Sequence, residues 1–199
     1  MRKWFTITTL VLIFGLIAAI FWYNEWRYSL PTPVPPNFHS IALNQKINLG
    51  DKFIAGRKRP VFLHFFNPAC PCSRFNIPHF NTLVKQYGSK INFAVVVMAA
   101  GKSYTPEKIK RQFNLQVPVL FDTALATACG IYSTPQAVLI DTNQTLYYRG
   151  NYNRARYCTD IKTNYAQMAI AACLAEREQP AFNQYALTAY GCSLPNCKK

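Results

Sequence analysis

The stretch that decides the fold is His64–Phe80, with the sequence HFFNPACPCSRFNIPHF. This stretch begins within the apolar run Val61–Phe66, which predicts a buried strand. From Ser73 to Tyr87 the apolar residues recur at helical spacing, so this segment predicts a helix. Two cysteines, Cys70 and Cys72, flank a single proline at the turn between the strand and the helix. Two thiols at such a turn indicate either redox chemistry or metal binding.

The rest of the chain alternates between strand and helix patterns. Strands followed by helices, then a hairpin and a closing helix, predict an α/β sheet that helices cover on both faces. The remaining predicted strands are 91–100, 117–122, 134–141 and 145–150, and the remaining predicted helices are 105–113, 123–130 and 162–178.

The N-terminal segment Trp4–Tyr23 contains no charged residue. A membrane-spanning helix needs roughly 20 apolar residues, and bulky residues follow the alanines where a signal-peptide cleavage site would require small ones. We therefore predict an uncleaved signal anchor within residues 1–28, with a cleaved signal peptide as the alternative. Arg2 and Lys3 precede the span, so the positive-inside rule keeps the N-terminus in the cytoplasm and exports the rest.

Beyond the anchor, the sequence divides into three parts. Residues 29–38 are rich in proline and predict an extended stalk. Residues 39–178 carry the strand and helix patterns and form the predicted domain. Residues 179–199 form a tail that contains two cysteines.

The composition indicates the compartment of the domain and the kinds of partner that it can bind. Seven cysteines in an exported domain indicate an oxidising environment, and an odd number leaves at least one thiol outside an intramolecular disulfide. The net charge is +14, but the longest basic run is the three residues 57–59. Outside the cytoplasm we do not expect nucleic acid as a partner. Dispersed basic residues there fit anionic lipid head groups, acidic client proteins or a solvated surface.

The motif and the order of elements resemble the thioredoxin-like superfamily. The segment FFNPAC, ending at Cys70, resembles the lead-in to the family's nucleophilic cysteine. The segment STPQAVLID resembles the cis-proline segment, so the resemblance implies a cis bond between Thr134 and Pro135 and a substrate groove shaped by Pro135. The helix and strand between Ile91 and Asp122 resemble insertions of the membrane-anchored TlpA-like and redoxin branch. The implied fold is a mixed central sheet flanked by helices.

The chain departs from this family at the second thiol. Ser73 occupies the position where the family has its second cysteine, and Cys72 lies one residue earlier. A disulfide between Cys70 and Cys72 would close a very small ring that fits the usual Cα spacing poorly, so it would be easily reduced. Either this pair is a labile disulfide, or Cys70 is a lone nucleophile whose resolving partner lies elsewhere.

The predicted chemistry uses the start of the helix. We expect Cys70 to be exposed at this N-terminus. Because a helix N-terminus stabilises a thiolate, Cys70 should be the thiol that attacks a disulfide of the client, and Cys72 should resolve the mixed disulfide or act as the leaving group. His64 lies where thioredoxins carry a buried acid. A neutral imidazole there could accept the proton of the second thiol, and the alternative is a hydrogen-bonded core histidine.

Three further cysteines are predicted accessory thiols. The topology brings the loop 151–161, which contains Cys158, to the edge where the first helix of the domain begins. The tail is long enough to return there, so we predict a disulfide between Cys158 and Cys192. The alternative is a local bridge between Cys192 and Cys197. Two other cysteines, Cys129 and Cys173, lie among apolar residues and are predicted to pack in the core.

These observations predict a single-pass protein of the bacterial inner membrane whose domain faces the periplasm. It would exchange thiols and disulfides with exported client proteins and with an unknown thiol donor or acceptor, using redox-active cysteines and no other cofactor. One alternative is a copper-binding or copper-delivery module with Cys70 and Cys72 as soft ligands. A second alternative is a thioredoxin-fold adaptor without catalytic activity.

Overall fold

A computed structural model describes residues 2–50, 59–99 and 104–194 of the chain. The helices are α1 (Arg2–Ser29), α2 (Pro71–Tyr87), α3 (Pro106–Phe113), α4 (Thr123–Ala128), α5 (Tyr165–Leu174) and α6 (Gln184–Leu187). The strands are β1 (Val61–Phe66), β2 (Asn92–Val97), β3 (Val119–Leu120), β4 (Ser133–Thr134), β5 (Gln136–Ile140), β6 (Leu146–Gly150) and β7 (Cys192–Ser193).

Five strands form the central sheet in the order β3-β2-β1-β5-β6. The strands β1, β2 and β3 pair in parallel, whereas β5 is antiparallel to β1 and to β6. This mixed sheet, with α2 after its central strand and α5 after the β5–β6 hairpin, is the thioredoxin-like arrangement. The predicted fold class is therefore confirmed.

Alternate residues of β1 build two cores, one on each face of the sheet. All six residues of β1 are buried. Phe62 and Phe66 face the larger cluster, which includes residues of α2 and α5, whereas Leu63 and Phe65 face a second cluster beneath α4. This division follows from the two-residue period of a strand. A central strand that is buried on both faces explains why the run is continuously apolar.

The helix α2 starts and ends close to its predicted limits. Pro71 occupies its first turn, where the missing amide proton costs no hydrogen bond. Its buried face includes Ile77, Phe80 and Leu83, which recur at helical spacing. Gly88 closes the helix as predicted, and its amide donates to the carbonyl of Val84.

The last predicted helix, 162–178, is longer than the observed one. A 3-10 turn at Ile161–Thr163 precedes α5, and the side chain of Asp160 caps this turn by accepting from the amide of Lys162. The chain leaves the helix after α5, and Glu176 has a φ angle of 54°. The periodicity alone therefore overestimated the helix at both ends.

The N-terminal helix α1 has no buried residue and is long and apolar enough to cross a membrane. Just after it, Thr32 is buried against the domain. Its amide donates to the carbonyl of Ala189, and its hydroxyl donates to the carbonyl of Gly191, both at 2.7 Å. The predicted stalk therefore begins in contact with the domain.

The predicted tail is partly integrated into the domain. Its first part contains α6, and Phe182 packs on Tyr148 with ring centroids 4.8 Å apart. Its second part contains β7, which pairs antiparallel with β4. Cys197 lies outside the described residues.

Candidate functional site

The turn between β1 and α2 is held by the side chain and backbone of Asn67. Its Oδ1 accepts from the amide of Ala69 at 2.9 Å, and its carbonyl accepts from the amide of Cys70 at 3.0 Å. Its own amide donates to Oγ of Ser73 at 3.2 Å. Ser73 is completely buried, so the residue in the usual position of the second cysteine stabilises this turn.

Cys70, the N-cap of α2, forms a disulfide with Cys192 in the tail. The two Cα atoms are 6.5 Å apart, which is within the range of protein disulfides. The predicted pairing of Cys158 with Cys192 is therefore wrong, although the tail does return to the predicted edge. The error arose because the return of the tail fixes the edge of the sheet but not which thiol Cys192 meets there.

The strand β7 places Cys192 beside Cys70 by pairing with the segment before Pro135. Cys192 lies opposite Thr134, whose carbonyl oxygen is 3.6 Å from Sγ of Cys70. Gly191 passes so close that a Cβ there would overlap the Thr134 carbonyl. The peptide bond between Thr134 and Pro135 is cis, in agreement with the prediction.

Cys72 lies next to this disulfide. The sulfur atoms of Cys70, Cys72 and Cys192 all lie within 4.8 Å of one another, and we call this group the thiol cluster. All three residues are buried, and Tyr28 from the end of α1 packs against them. The expectation that Cys70 is exposed is wrong, because the tail and Tyr28 cover the start of α2.

A cavity of about 410 Å³ opens beside the thiol cluster. Cys72 and Pro135 line it, whereas Cys70 and Cys192 do not. Among the described residues, two arginines and several aromatic side chains line the cavity, and no acidic side chain does. The other lining residues are Tyr28, Ser29, Asn76, Asn151, Tyr152, Asn153, Arg154, Ala155, Arg156, Cys158, Tyr185, Tyr190 and Gly191.

Cys158 lies in the cavity wall, as the topology predicted for the loop 151–161. Its thiol donates to Oδ1 of Asn76 at 3.4 Å. Burial raises the pKa of Cys158 to about 12, so the thiol stays protonated at neutral pH. Asn76 also donates to the carbonyl of Cys72 at 3.1 Å and thereby joins this loop to the start of α2.

His64 lies in the core beneath the cavity. Its Nδ1 shares a hydrogen bond of 2.7 Å with the hydroxyl of Tyr152, and its ring stacks on Phe80 at 4.7 Å. Burial lowers the pKa of His64 to about 3, so the ring is neutral at ordinary pH. This geometry favours a role for His64 as a hydrogen-bonded core residue over a role as the acceptor of the proton of the second thiol.

Arg156 links the end of α1 to the cavity. Its guanidinium donates to Glu25 at 2.9 Å and lies 4.6 Å from the ring centre of Tyr28. The same group interacts electrostatically with Cys72. The end of α1 thus holds a positive charge in the wall of the cavity that Cys72 also lines.

Cys129 and Cys173 lie away from the thiol cluster. Cys129 is completely buried beneath the sheet, and burial raises its pKa to about 12. Cys173 packs partly buried against the larger core, and burial raises its pKa to about 11. Both positions agree with the predicted packing role.

The sequence predictions missed the pairing of Cys192 and the contacts of Tyr28, Asn76 and Arg156. Gly191 before Cys192 was an available signal, because glycine often marks a close backbone approach. The other three residues carry no recognisable motif. They meet at the cavity only because α1, α2 and the loop 151–161 converge there.

The chain matches a family model over most of its length. A family model described as "Domain of unknown function (DUF6436)" matches residues 39–194. The comparison with curated proteins gives no match.

The solved structures that are similar to this chain include the following three. A hypothetical protein, SMc02350 from Sinorhizobium meliloti 1021, has 19% identity and a TM-score of 0.66, covering 80% of this chain and 97% of its own. An uncharacterized conserved protein from Geobacillus kaustophilus has 18% identity and a TM-score of 0.59, covering 76% and 93%. A thiol:disulfide interchange protein of the thioredoxin family from Chlorobium tepidum TLS has 19% identity and a TM-score of 0.48, covering 73% and 97%.

Proposed function

We propose that this chain, which belongs to the DUF6436 family of domains of unknown function, is a thiol–disulfide oxidoreductase. The observation that carries the proposal is the Cys70–Cys192 disulfide, which lies at the N-terminus of α2 and against the segment before Pro135. Cys72 lies within 4.8 Å of both sulfur atoms of this disulfide. Exchange among the three sulfurs needs only small movements, and the helix N-terminus stabilises the thiolate that each exchange step releases.

The cavity supports Cys72 as the thiol that meets the client. In the reduced protein, the Cys72 thiolate attacks a client disulfide, and one client sulfur leaves as a thiolate that takes up a proton. The Cys192 thiolate then attacks Sγ of Cys72 and releases the second client sulfur as a thiol. The Cys70 thiolate finally attacks Sγ of Cys192, which forms the Cys70–Cys192 disulfide and returns Cys72 to its thiol form. The sum is one client disulfide reduced to two thiols and one protein disulfide formed.

The small ring that a Cys70–Cys72 disulfide would close is an argument for Cys192 as the partner of Cys70. A disulfide between Cys70 and Cys72 would fit the usual Cα spacing poorly, whereas Cys70 and Cys192 have Cα atoms 6.5 Å apart. The same steps run in reverse would oxidise a client dithiol.

We also propose that α1 anchors the domain in the inner membrane, with the domain in the periplasm and exported proteins as clients. The length and apolar character of α1 support the anchor, and Arg2 and Lys3 before it support this orientation. Reporter fusions at the C-terminus test the orientation. A reporter that works only in the cytoplasm should stay inactive, and its activity would reject a periplasmic domain.

The activity is tested with the full chain in detergent micelles, a fluorescent peptide disulfide as substrate and a dithiol as electron source. We expect Cys72→Ser and Cys192→Ser to lower turnover to the uncatalysed rate. Cys158→Ser is the matched control, because it removes another thiol of the cavity wall, and it should retain turnover. An active Cys192→Ser protein would reject the assigned disulfide, and an inactive wild type would reject the oxidoreductase.

A further inference from the structure

We propose that the reduced thiol cluster binds one Cu(I) ion through the sulfur atoms of Cys70, Cys72 and Cys192. These atoms all lie within 4.8 Å of one another, and the three residues come from α2 and the tail. The residues are 0%, 4% and 2% exposed, so little of the site meets water, and of the three only Cys72 lines the cavity. Cu(I) binding would be a second activity of the same cysteines, available only when the disulfide is open.

The spacing of the sulfurs suits a three-coordinate ion. With metal–sulfur bonds of about 2.3 Å, three ligands in one plane with the metal have sulfur atoms about 4 Å apart. Reduction of the disulfide separates Cys70 from Cys192 toward this spacing, and Cys72 is already within 4.8 Å of both. The backbone pairing of β4 with β7 keeps Cys192 on the same side as the start of α2.

The set of ligands favours Cu(I) over Zn²⁺. Thiolates are soft ligands that select Cu(I), zinc and iron–sulfur clusters. Structural zinc sites are almost always four-coordinate. In the part of the chain that the structure describes, this cluster contains three cysteines and no fourth histidine, cysteine or carboxylate ligand. A buried three-sulfur site therefore fits a low-coordinate monovalent ion better than zinc.

The charges around the cluster suit a bound anionic complex. Binding converts three thiols and one Cu(I) ion into a complex with charge −2 and releases three protons. The guanidinium of Arg156 interacts electrostatically with Cys72 and is held in place by Glu25 and Tyr28. The N-terminus of α2 contributes further positive potential beside Cys70. No change in the oxidation state of copper is needed, because a dithiol first supplies the two electrons that open the disulfide.

The test uses the full chain in detergent micelles, reduced with a dithiol that is then removed without oxygen. Cu(I) is supplied from a competing chelator, and X-ray absorption measures the number of sulfur neighbours. We expect one Cu(I) per chain with three sulfurs. Cys192→Ser should lower the affinity at least about tenfold and leave two sulfurs. Cys158→Ser, the matched control, should keep the affinity and all three sulfurs.

Cys192→Met separates metal binding from disulfide exchange. A thioether is still a soft ligand for Cu(I), but it forms no disulfide. This variant should recover most of the affinity lost in Cys192→Ser, and far-UV circular dichroism should show that both variants are folded. Two sulfurs in the wild type, or equal affinity of the wild type and Cys192→Ser, would overturn the site.

Failure of the copper site and failure of the oxidoreductase have different signatures. Binding is measured on protein that is already reduced, so it does not depend on turnover. A wild type that turns over the peptide disulfide but binds no Cu(I) rejects the copper site alone. A wild type that binds Cu(I) through three sulfurs without turnover rejects the oxidoreductase alone.

Discussion

Opening the Cys70–Cys192 disulfide should destabilise the domain by an amount set by the length of the loop that it closes. The two cysteines are 122 positions apart. In the chain-entropy account of disulfides, a loop of this length stabilises the folded state by about 4.9 kcal/mol. The free energy of unfolding of the full chain in micelles should therefore be larger by about this amount when the protein is oxidised.

The measurement is urea unfolding followed by far-UV circular dichroism, in oxidising and in dithiol-containing buffer. Cys192→Ser is the control, and its free energy of unfolding should not depend on the buffer. A disulfide confined to Cys70 and Cys72 would close a tiny loop and give a difference of only about 1–2 kcal/mol. A wild-type difference in that lower range would refute the reasoning from the tail disulfide.

The same free energy should appear in the reduction potential. Because the disulfide stabilises the folded state, the folded state must stabilise the disulfide equally. A difference of about 4.9 kcal/mol corresponds to a potential about 100 mV more negative in the folded protein than in the urea-unfolded chain. Redox titrations in the two states measure this shift independently. Disagreement between the two values would show that a second disulfide forms or that unfolding is not two-state.

Three more outcomes follow from the site. Gly191→Ala should slow formation of the Cys70–Cys192 disulfide, because a Cβ at this position would overlap the carbonyl of Thr134. Gly15→Ala is the control and should not slow it, because no atom lies within 4 Å of its Cβ. Equal oxidation rates of the two variants would contradict this prediction. Burial lowers the pKa of His64 to about 3, so the unfolded state takes up its proton first as the pH falls. Between pH 6.5 and 4.5 the wild type should therefore lose about 2.3 kcal/mol more stability than His64→Asn, and parallel curves from urea unfolding would refute the assignment. In reduced protein at pH 8, iodoacetamide should modify Cys72 faster than Cys158, whose pKa burial raises to about 12; equal rates by mass spectrometry would contradict that contrast.

The central part of the fold was predictable because its signals are local. The run Val61–Phe66 and the periodic segment after it each depend on neighbouring residues, and both became the expected elements. The cis bond before Pro135 followed from a short motif. The start of the last helix was not predictable, because Asp160 caps a separate 3-10 turn, Ile161–Thr163, where the helical periodicity already begins.

The site was only half predictable for a related reason. Cys70 and Cys72 are identified by their position between a strand and a helix, which is a local feature. The partner of Cys70 depends instead on the register of two short strands, Thr134 opposite Cys192, across a long separation in sequence. Tyr28 reaches the cluster from the other end of the chain, and no pattern in its own segment indicates that contact.

The departure at Ser73 and the disulfide with the tail have one geometric explanation. Consecutive residues of a helix differ in direction by about 100°, so a thiol at position 72 points to a different side than a thiol at position 73. Ser73 is completely buried and bonds the amide of Asn67, whereas Cys72 lines the cavity. Moving the second thiol by one residue therefore takes it out of the turn beneath Cys70 and toward the cavity. A cysteine from elsewhere in the chain can then be the resolving partner of Cys70, and β7 brings Cys192 beside Cys70.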